Sequence, residues 1–141
     1  MQTRRLTDAL SVAAQIEPAD LATLAAQGFR GVINNRPDGE GADQPASAEL
    51  EAAARHAGLA YRHIPVVSGQ LRDDQVQAFE QALLELPGPV LAFCRSGTRS
   101  SMLWAVQAAR RADVDEVLQQ AAAAGYDLSG LRPRLLAGRA G

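Results

Sequence analysis

A short apolar run, Val90-Leu91-Ala92-Phe93, followed at once by Cys94 and a polar turn, constrains the fold of this chain more than any other stretch. A Gly-Pro pair precedes the run, and a glycine-containing, hydroxyl-rich segment follows it, which is typical of a buried strand with sharp ends. From about Ser100, apolar residues recur at helical spacing. The stretch therefore predicts a strand, a tight loop and a helix in direct succession.

Such a loop is a predicted anion cradle. Gly97 lets the backbone curl, so that several N–H groups and the positive end of the helix macrodipole point at one place. These donors, with Arg95 and Arg99, favour the thiolate of Cys94, which is the nucleophilic form. We therefore predict Cys94 as nucleophile, Arg99 with the amides as oxyanion binders, and Ser100 as a hydrogen-bond donor to the thiolate. The predicted anion-binding loop consists of Arg95, Ser96, Gly97 and Thr98.

Two other interpretations of Cys94 stay open. A lone cysteine is often a small buried hydrophobic residue, and an anion-binding loop can carry a cysteine that does not react. The seven positions after Cys94 hold two arginines, one glycine and four hydroxyl residues. Packing alone does not need so polar a run, so the neighbours favour a reactive role.

Strand and helix patterns alternate along the 141 residues. Strands are predicted at residues 10–14 (an edge strand), 29–34 (a central strand), 59–66 and 90–93. Helices are predicted to begin near Pro18, Ser47, Asp73 and Ser100, and to cover residues 114–124 and 131–136. This alternation predicts one α/β domain over residues 1–141, with a mostly parallel central sheet flanked by helices. Ligands of such sheets bind at the carboxyl ends of the strands, where Cys94 falls.

A long polar loop follows the predicted central strand. Residues 35–45 include two prolines, two glycines and three acidic residues. Loops of this length in a compact domain often line a site. Arg36, Asp38 and Glu40 are therefore candidate accessory residues, and either carboxylate is a candidate proton donor. His56 and His63 are candidate partners of Cys94 too, although surface or hydrogen-bonding roles explain each of them more simply.

Composition excludes several classes of function. A formal net charge of -2 gives no support to binding of nucleic acid or anionic membranes. One cysteine excludes an internal disulfide, and the two histidines lack metal-site spacing. Without a transmembrane stretch or signal peptide, we expect a cytoplasmic location. No cofactor is implied, the expected partner is a small anionic substrate, and the oligomeric state is left open.

The loop Cys94-Arg95-Ser96-Gly97-Thr98-Arg99-Ser100 resembles the catalytic loop of cysteine-dependent phosphatases and, more closely, that of rhodanese-type sulfurtransferases. A wider resemblance covers residues 28–34, 36–40, 57–61, 63–66, 87–92, 94–100, 103–105 and 124–127. In these segments the chain is similar to the bacterial family of beta-lactamase hydrolase-like phosphatase-like domains. This resemblance implies the fold of the dual-specificity protein phosphatases.

The sequence departs from the phosphatase pattern at two places. Four residues separate Cys94 from Arg99, where a protein tyrosine phosphatase has five, so the cradle is narrower. Residues 67–70 are Val-Ser-Gly-Gln, where a phosphatase would carry its general-acid aspartate. We therefore expect sulfur transfer through a Cys94 persulfide, from thiosulfate or a small persulfide to a thiol. The alternatives are phosphomonoester hydrolysis through a cysteinyl-phosphate and a catalytically idle anion-sensing or partner-binding module.

Overall fold

A computed structural model describes the backbone of residues 1–140 and the side chains of residues 1–138. The final residue of the predicted domain, 141, lies outside the described residues. Five strands form one sheet in the order β1-β2-β5-β3-β4. The strands are β1 (Thr3–Arg5), β2 (Leu10–Ala13), β3 (Gly31–Asn34), β4 (Ala60–His63) and β5 (Val90–Phe93). Only β1 pairs antiparallel, with β2, and the other pairings are parallel, which confirms the predicted mostly parallel sheet.

Helices cover both faces of the sheet. They are α1 (Asp20–Ala26), α2 (Ser47–His56), α3 (Asp73–Glu85), α4 (Thr98–Ala108), α5 (Val114–Ala123) and α6 (Arg132–Ala140), with a 3-10 turn at Ser129–Leu131 before α6. Because alternate strand residues point to opposite faces, Val32 and Leu91 pack with α1 and α2. Ile33 and Ala92 face the larger core formed by α3 to α6. Within the described residues no helix is long and apolar enough to cross a bilayer.

Two predicted elements are corrected by the structure. The strand at residues 10–14 is interior, because β1 pairs along its outer side. β1 has only three residues, Thr-Arg-Arg, two of them exposed, and so short a polar segment carries no strand pattern. The predicted strand 59–66 is limited to Ala60–His63, since Pro65 has no N–H to donate to a sheet ladder.

The parallel strands bring distant parts of the chain to one edge of the sheet. β2, β3, β4 and β5 all end at this edge, so the residues that follow each strand are neighbours. The loop after β5 there meets the long loop after β3 and the segment after β4. The candidate site lies at this junction, where ligands of parallel sheets are expected.

Candidate active site

Cys94 lies at the floor of the loop that follows β5. All four residues of β5 are buried, and they hold Cys94 at the carboxyl end of the strand. The backbone N–H of Gly97 donates to the Sγ atom of Cys94 at 3.1 Å, and an inward amide of this kind stabilises a thiolate. Cys94 itself has no exposed surface. A reactant therefore reaches the sulfur only after the loop or neighbouring side chains move.

Gly97 is the residue that allows the loop to turn into α4. Its φ angle is +91°, in the left-handed region that favours glycine. A Cβ atom at this position would overlap the hydroxyl oxygen of Tyr126 and lie 3.2 Å from the carbonyl oxygen of Ala13. The carbonyl of Gly97 accepts from the Ser101 hydroxyl at 2.8 Å. Backbone angle and packing therefore both require glycine here.

Arg99, in the first turn of α4, is almost fully buried at 9% exposure. Its guanidinium donates to both carboxylate oxygens of Glu40, at 2.6 and 2.9 Å, and to the carbonyl of Val66 at 2.8 Å. The pKa of Arg99 is raised, first by these bonds to Glu40, and the charge of Cys94 adds to the effect. Arg99 thus interacts with both Cys94 and Glu40, and its role as an oxyanion binder stays a prediction.

Glu40 is held as an ionised carboxylate. The prediction that Glu40 could donate a proton is therefore corrected. Arg36 also donates to it, through Nε at 3.0 Å. Hydrogen bonds from Arg99, and then from Arg36, lower the pKa of Glu40 to about 2, although partial burial opposes them. A group with this pKa is ionised at neutral pH. Glu40 therefore has no proton to give to a leaving group in this arrangement.

Asp38 accepts a hydrogen bond from the first residue of α2. Its Oδ1 atom accepts from the backbone N–H of Ser47 at 2.8 Å, which satisfies one of the unpaired donors of a helix N-terminus. The predicted proton-donor role of Asp38 is therefore not seen, and its carboxylate stabilises the end of the long loop.

Ser100 bonds to a residue that the sequence interpretation missed. Its hydroxyl is fully buried and donates to Oδ1 of Asn35 at 2.8 Å, so the predicted bond to the Cys94 thiolate is not the one formed. Asn35 in turn donates to the carbonyl of Ile64 at 2.9 Å. Asn35 therefore ties α4 to the ends of β3 and β4. Two adjacent asparagines at the end of a buried strand, Asn34 and Asn35, were the available sequence signal.

Arg36 is fixed from two sides and helps to shape the site. Besides Glu40, it donates to Oε1 of Gln15 at 3.1 Å, and its backbone N–H donates to Oδ1 of Asn34 at 2.9 Å. The carbonyl of Arg36 contacts Nε2 of His63 at 2.9 Å. His63 therefore supports the long loop and is not a partner of Cys94. His56 faces a separate groove between α1 and α2.

A cavity of about 940 Å³ opens beside the loop. Residues 66–72 also line the cavity. Five arginines line the cavity, namely Arg36, Arg72, Arg95, Arg99 and Arg134. Arg36 and Arg99 share Glu40, while Arg72 and Arg134 pair with Asp74 and Asp73.

The cavity carries an excess of positive charge. Arg95 is exposed and has no ion-pair partner among the side chains of residues 1–138. Glu40 is the only carboxylate among the described residues that line the cavity. Within the same residues, no group of three or more His, Cys, Asp or Glu side chains is arranged to hold a metal ion. The arrangement suits an anionic ligand next to a cysteine.

Comparison with known proteins identifies the family. Residues 2–112 match the family described as the beta-lactamase hydrolase-like protein, phosphatase-like domain. The chain belongs to this family. A beta-lactamase hydrolase-like protein of Xylella fastidiosa is 38% identical over 125 residues, which make up 87% of this chain and 29% of the relative. This phosphatase-like domain therefore spans less than a third of that relative's length.

Solved structures agree with the family. A Neisseria meningitidis protein, provisionally named a phosphatase, superposes with a TM-score of 0.88 at 36% identity, over 96% of this chain and 97% of that one. The structure of PTPMT1 superposes with a TM-score of 0.70 over 99% and 97% of the two chains, at 16% identity, which is a likeness of fold alone. The expected dual-specificity phosphatase-like fold is confirmed, and the domain is a phosphatase-like enzyme by family and fold.

The pairing of Glu40 with Arg99 and Arg36 should stabilise the fold in a way that depends on pH. We expect Glu40→Gln to lower the free energy of unfolding at pH 7 by about 1 to 2 kcal/mol, the scale of a partly exposed charge-assisted pair. Because the pKa of Glu40 is lower in the folded state, this stabilisation is complete above pH 4.5 and is lost as pH falls through about 2. Urea unfolding curves at several pH values should show the difference between wild type and variant shrinking over that range.

The matched control is Glu51→Gln. Glu51 pairs with Arg55 at 2.9 Å on the surface of α2, where the Arg55 side chain is 75% exposed, and such pairs contribute little. Its loss should change stability much less at every pH. The same pH dependence in both variants would show that the site does not hold Glu40 in a special state.

Proposed function

We propose that this domain is a sulfurtransferase in which Cys94 carries a sulfane sulfur as a persulfide. The observation that carries the proposal is that Arg99 and Arg36 both donate to the carboxylate of Glu40. Glu40 is the one carboxylate among the described residues lining the cavity, and its lowered pKa of about 2 agrees with this pairing. Residues 66–72, which also line the cavity, contribute no acidic side chain. The site thus offers a nucleophile and anion binders without a carboxylic acid.

The chemistry of the leaving group is the reason why this observation supports sulfur transfer. Hydrolysis of an alkyl phosphate expels an alkoxide, which needs a proton from a general acid. Attack on a sulfane sulfur expels sulfite or a thiolate, and neither needs protonation to the same degree. A site that lacks a carboxylic acid is therefore better matched to sulfur transfer.

In the first step, the Cys94 thiolate attacks the outer sulfur of thiosulfate. A sulfur–sulfur bond forms to Cys94, and the bond inside thiosulfate breaks with its electron pair leaving on sulfite. In the second step, an acceptor thiolate attacks the outer sulfur of the persulfide and regenerates the Cys94 thiolate. The Gly97 amide, already 3.1 Å from the sulfur, and Arg99 stabilise the negative charge at each stage.

Binding of the anionic sulfur donor involves the pair formed by Glu40 and Arg99. Arg99 donates to both oxygens of Glu40, so a bound anion would share this guanidinium with the carboxylate. Arg95, exposed at the cavity, would attract the donor by its charge. The substrate class is thus a small anion with a transferable sulfur, and a cytoplasmic location remains our expectation.

A second candidate function is phosphomonoester hydrolysis through a cysteinyl-phosphate. The size of the cavity favours it, because about 940 Å³ is far more than a thiosulfate ion fills. The phosphatase-like family and fold favour it as well. A water molecule or the substrate itself would then have to supply the proton that Glu40 cannot.

Steady-state kinetics distinguish the two candidates. We expect Cys94-dependent turnover with thiosulfate as donor and cyanide or a thiol as acceptor. Activity on an alkyl phosphate such as glycerol phosphate should be slower by at least about two orders of magnitude, the scale of a missing general acid. Efficient phosphate release without thiosulfate turnover would replace the proposal by the second candidate. Absence of both activities would support an anion-sensing module.

A further inference from the structure

Tyr126 follows α5 and packs directly against the loop that holds Cys94. α5 ends at Ala123, and Gly125, whose φ angle is +99°, turns the backbone just before Tyr126. The phenol is half-buried. Its Cζ atom would lie 2.9 Å from a Cβ placed on Gly97. The hydroxyl end of the Tyr126 side chain therefore contacts the peptide unit at the centre of the loop.

Two hydrogen bonds meet at this peptide unit. The Tyr126 hydroxyl donates to the carbonyl of Ser96 at 3.3 Å. The N–H of the same peptide group belongs to Gly97 and donates to Sγ of Cys94 at 3.1 Å. Donation to a carbonyl polarises its peptide group and strengthens the opposite N–H as a donor. The phenol, the peptide and the sulfur thus form a continuous chain of donors and acceptors.

We propose that Tyr126 is a positioning residue that orients and polarises the Ser96–Gly97 peptide, and thereby stabilises negative charge on the sulfur of Cys94. It acts through the backbone and does not touch the substrate. The inference rests on the proposed function only in taking Cys94 as the nucleophile, and it applies equally to sulfur and to phosphoryl transfer.

The surroundings of Tyr126 keep the donor proton in place. Burial raises the pKa of Tyr126, the charge of Cys94 raises it further, and Arg4 on β1 opposes both. The phenol therefore stays protonated at neutral pH. Arg99, on α4, also interacts with the charge of Cys94. A substitution of Tyr126 leaves Arg4 and Arg99 in place. The effect of Tyr126 on Cys94 can therefore be measured separately from the effects of these two arginines.

The test is the pH dependence of Cys94 alkylation by iodoacetamide in Tyr126→Phe. Phenylalanine keeps the ring against Gly97 and removes only the hydroxyl. We expect the pH midpoint of alkylation to rise by about half a unit, which makes the reaction about threefold slower below the midpoint. Thiosulfate turnover should lose a similar factor in kcat, with KM unchanged.

Two further variants serve as controls for the effect of Tyr126→Phe. Tyr61→Phe also removes a hydroxyl, one that bonds to Ser47 and Asn34 away from the loop, and it should leave the midpoint unchanged. Replacing Tyr126 with 3-fluorotyrosine, a stronger donor, should lower the midpoint. A Tyr126→Phe midpoint equal to that of wild type, or a rise with 3-fluorotyrosine, would overturn the inference. Because alkylation needs no sulfur donor, a midpoint shift without thiosulfate turnover would leave it standing while the proposed function fails.

Discussion

Cys94→Ser is expected to lose thiosulfate turnover by at least about three orders of magnitude. A serine hydroxyl is not ionised near neutral pH, whereas the thiolate is the nucleophilic form of a cysteine, and the Gly97 N–H already donates to the Cys94 sulfur. Cys94 is the one cysteine of the chain, so no second thiol can accept the sulfur. Thiocyanate formation from thiosulfate and cyanide measures the loss.

The serine substitution should leave the fold intact. The hydroxyl is smaller than the thiol and can accept the same N–H of Gly97, so the expected change in Tm is small. Wild-type protein alkylated at Cys94 is the matched control, since it keeps the sequence and blocks the sulfur. Turnover that survives either treatment would show that Cys94 is not the nucleophile.

Arg99→Lys is expected to reduce turnover by about two orders of magnitude, the effect of removing one aligned oxyanion donor. Lysine keeps the charge, but its single ammonium group cannot reproduce the fork that now spans both oxygens of Glu40 and the carbonyl of Val66. The incoming anion is expected to use the same fork. The loss should therefore appear both in kcat and in KM for thiosulfate.

Arg95→Lys is the matched control for this change. Arg95 lines the same cavity and is exposed without an ion pair among the described side chains, so its predicted contribution is positive potential and not geometry. Lysine preserves that potential, and the effect should be much smaller than that of Arg99→Lys. Equally small losses of turnover in the two variants would mean that Arg99 acts through its charge alone, since lysine keeps that charge.

Local patterns predicted the centre of the site well. The apolar run before Cys94 and the helical spacing after it gave a strand, a loop and a helix, and the structure has β5 (Val90–Phe93) and α4 (Thr98–Ala108) at these places. The parallel sheet followed from the alternation of elements. These features depend on neighbouring residues, which is the range over which hydrophobic periodicity carries information.

Pairings between distant residues were not predictable in the same way. Glu40 and Arg99 are 59 positions apart, and Asn35 and Ser100 are 65 apart. The sequence pointed to Glu40 as a polar residue near the site, but its protonation depends on the two arginines that the fold brings to it. Similarly, Tyr126 belonged to a recognised family segment, while its contact with the loop depends on how α5 packs.

Intact-protein mass spectrometry shows directly whether Cys94 carries a persulfide. The protein is mixed with thiosulfate, and the excess donor is removed before the measurement. The persulfide account predicts that wild-type protein gains the mass of one sulfur atom at Cys94, that cyanide removes it, and that Cys94→Ser gains nothing. A parallel sample mixed with a phosphate ester should show no phosphoryl adduct. A phosphoryl group on Cys94, with no sulfur adduct after thiosulfate, would contradict the account.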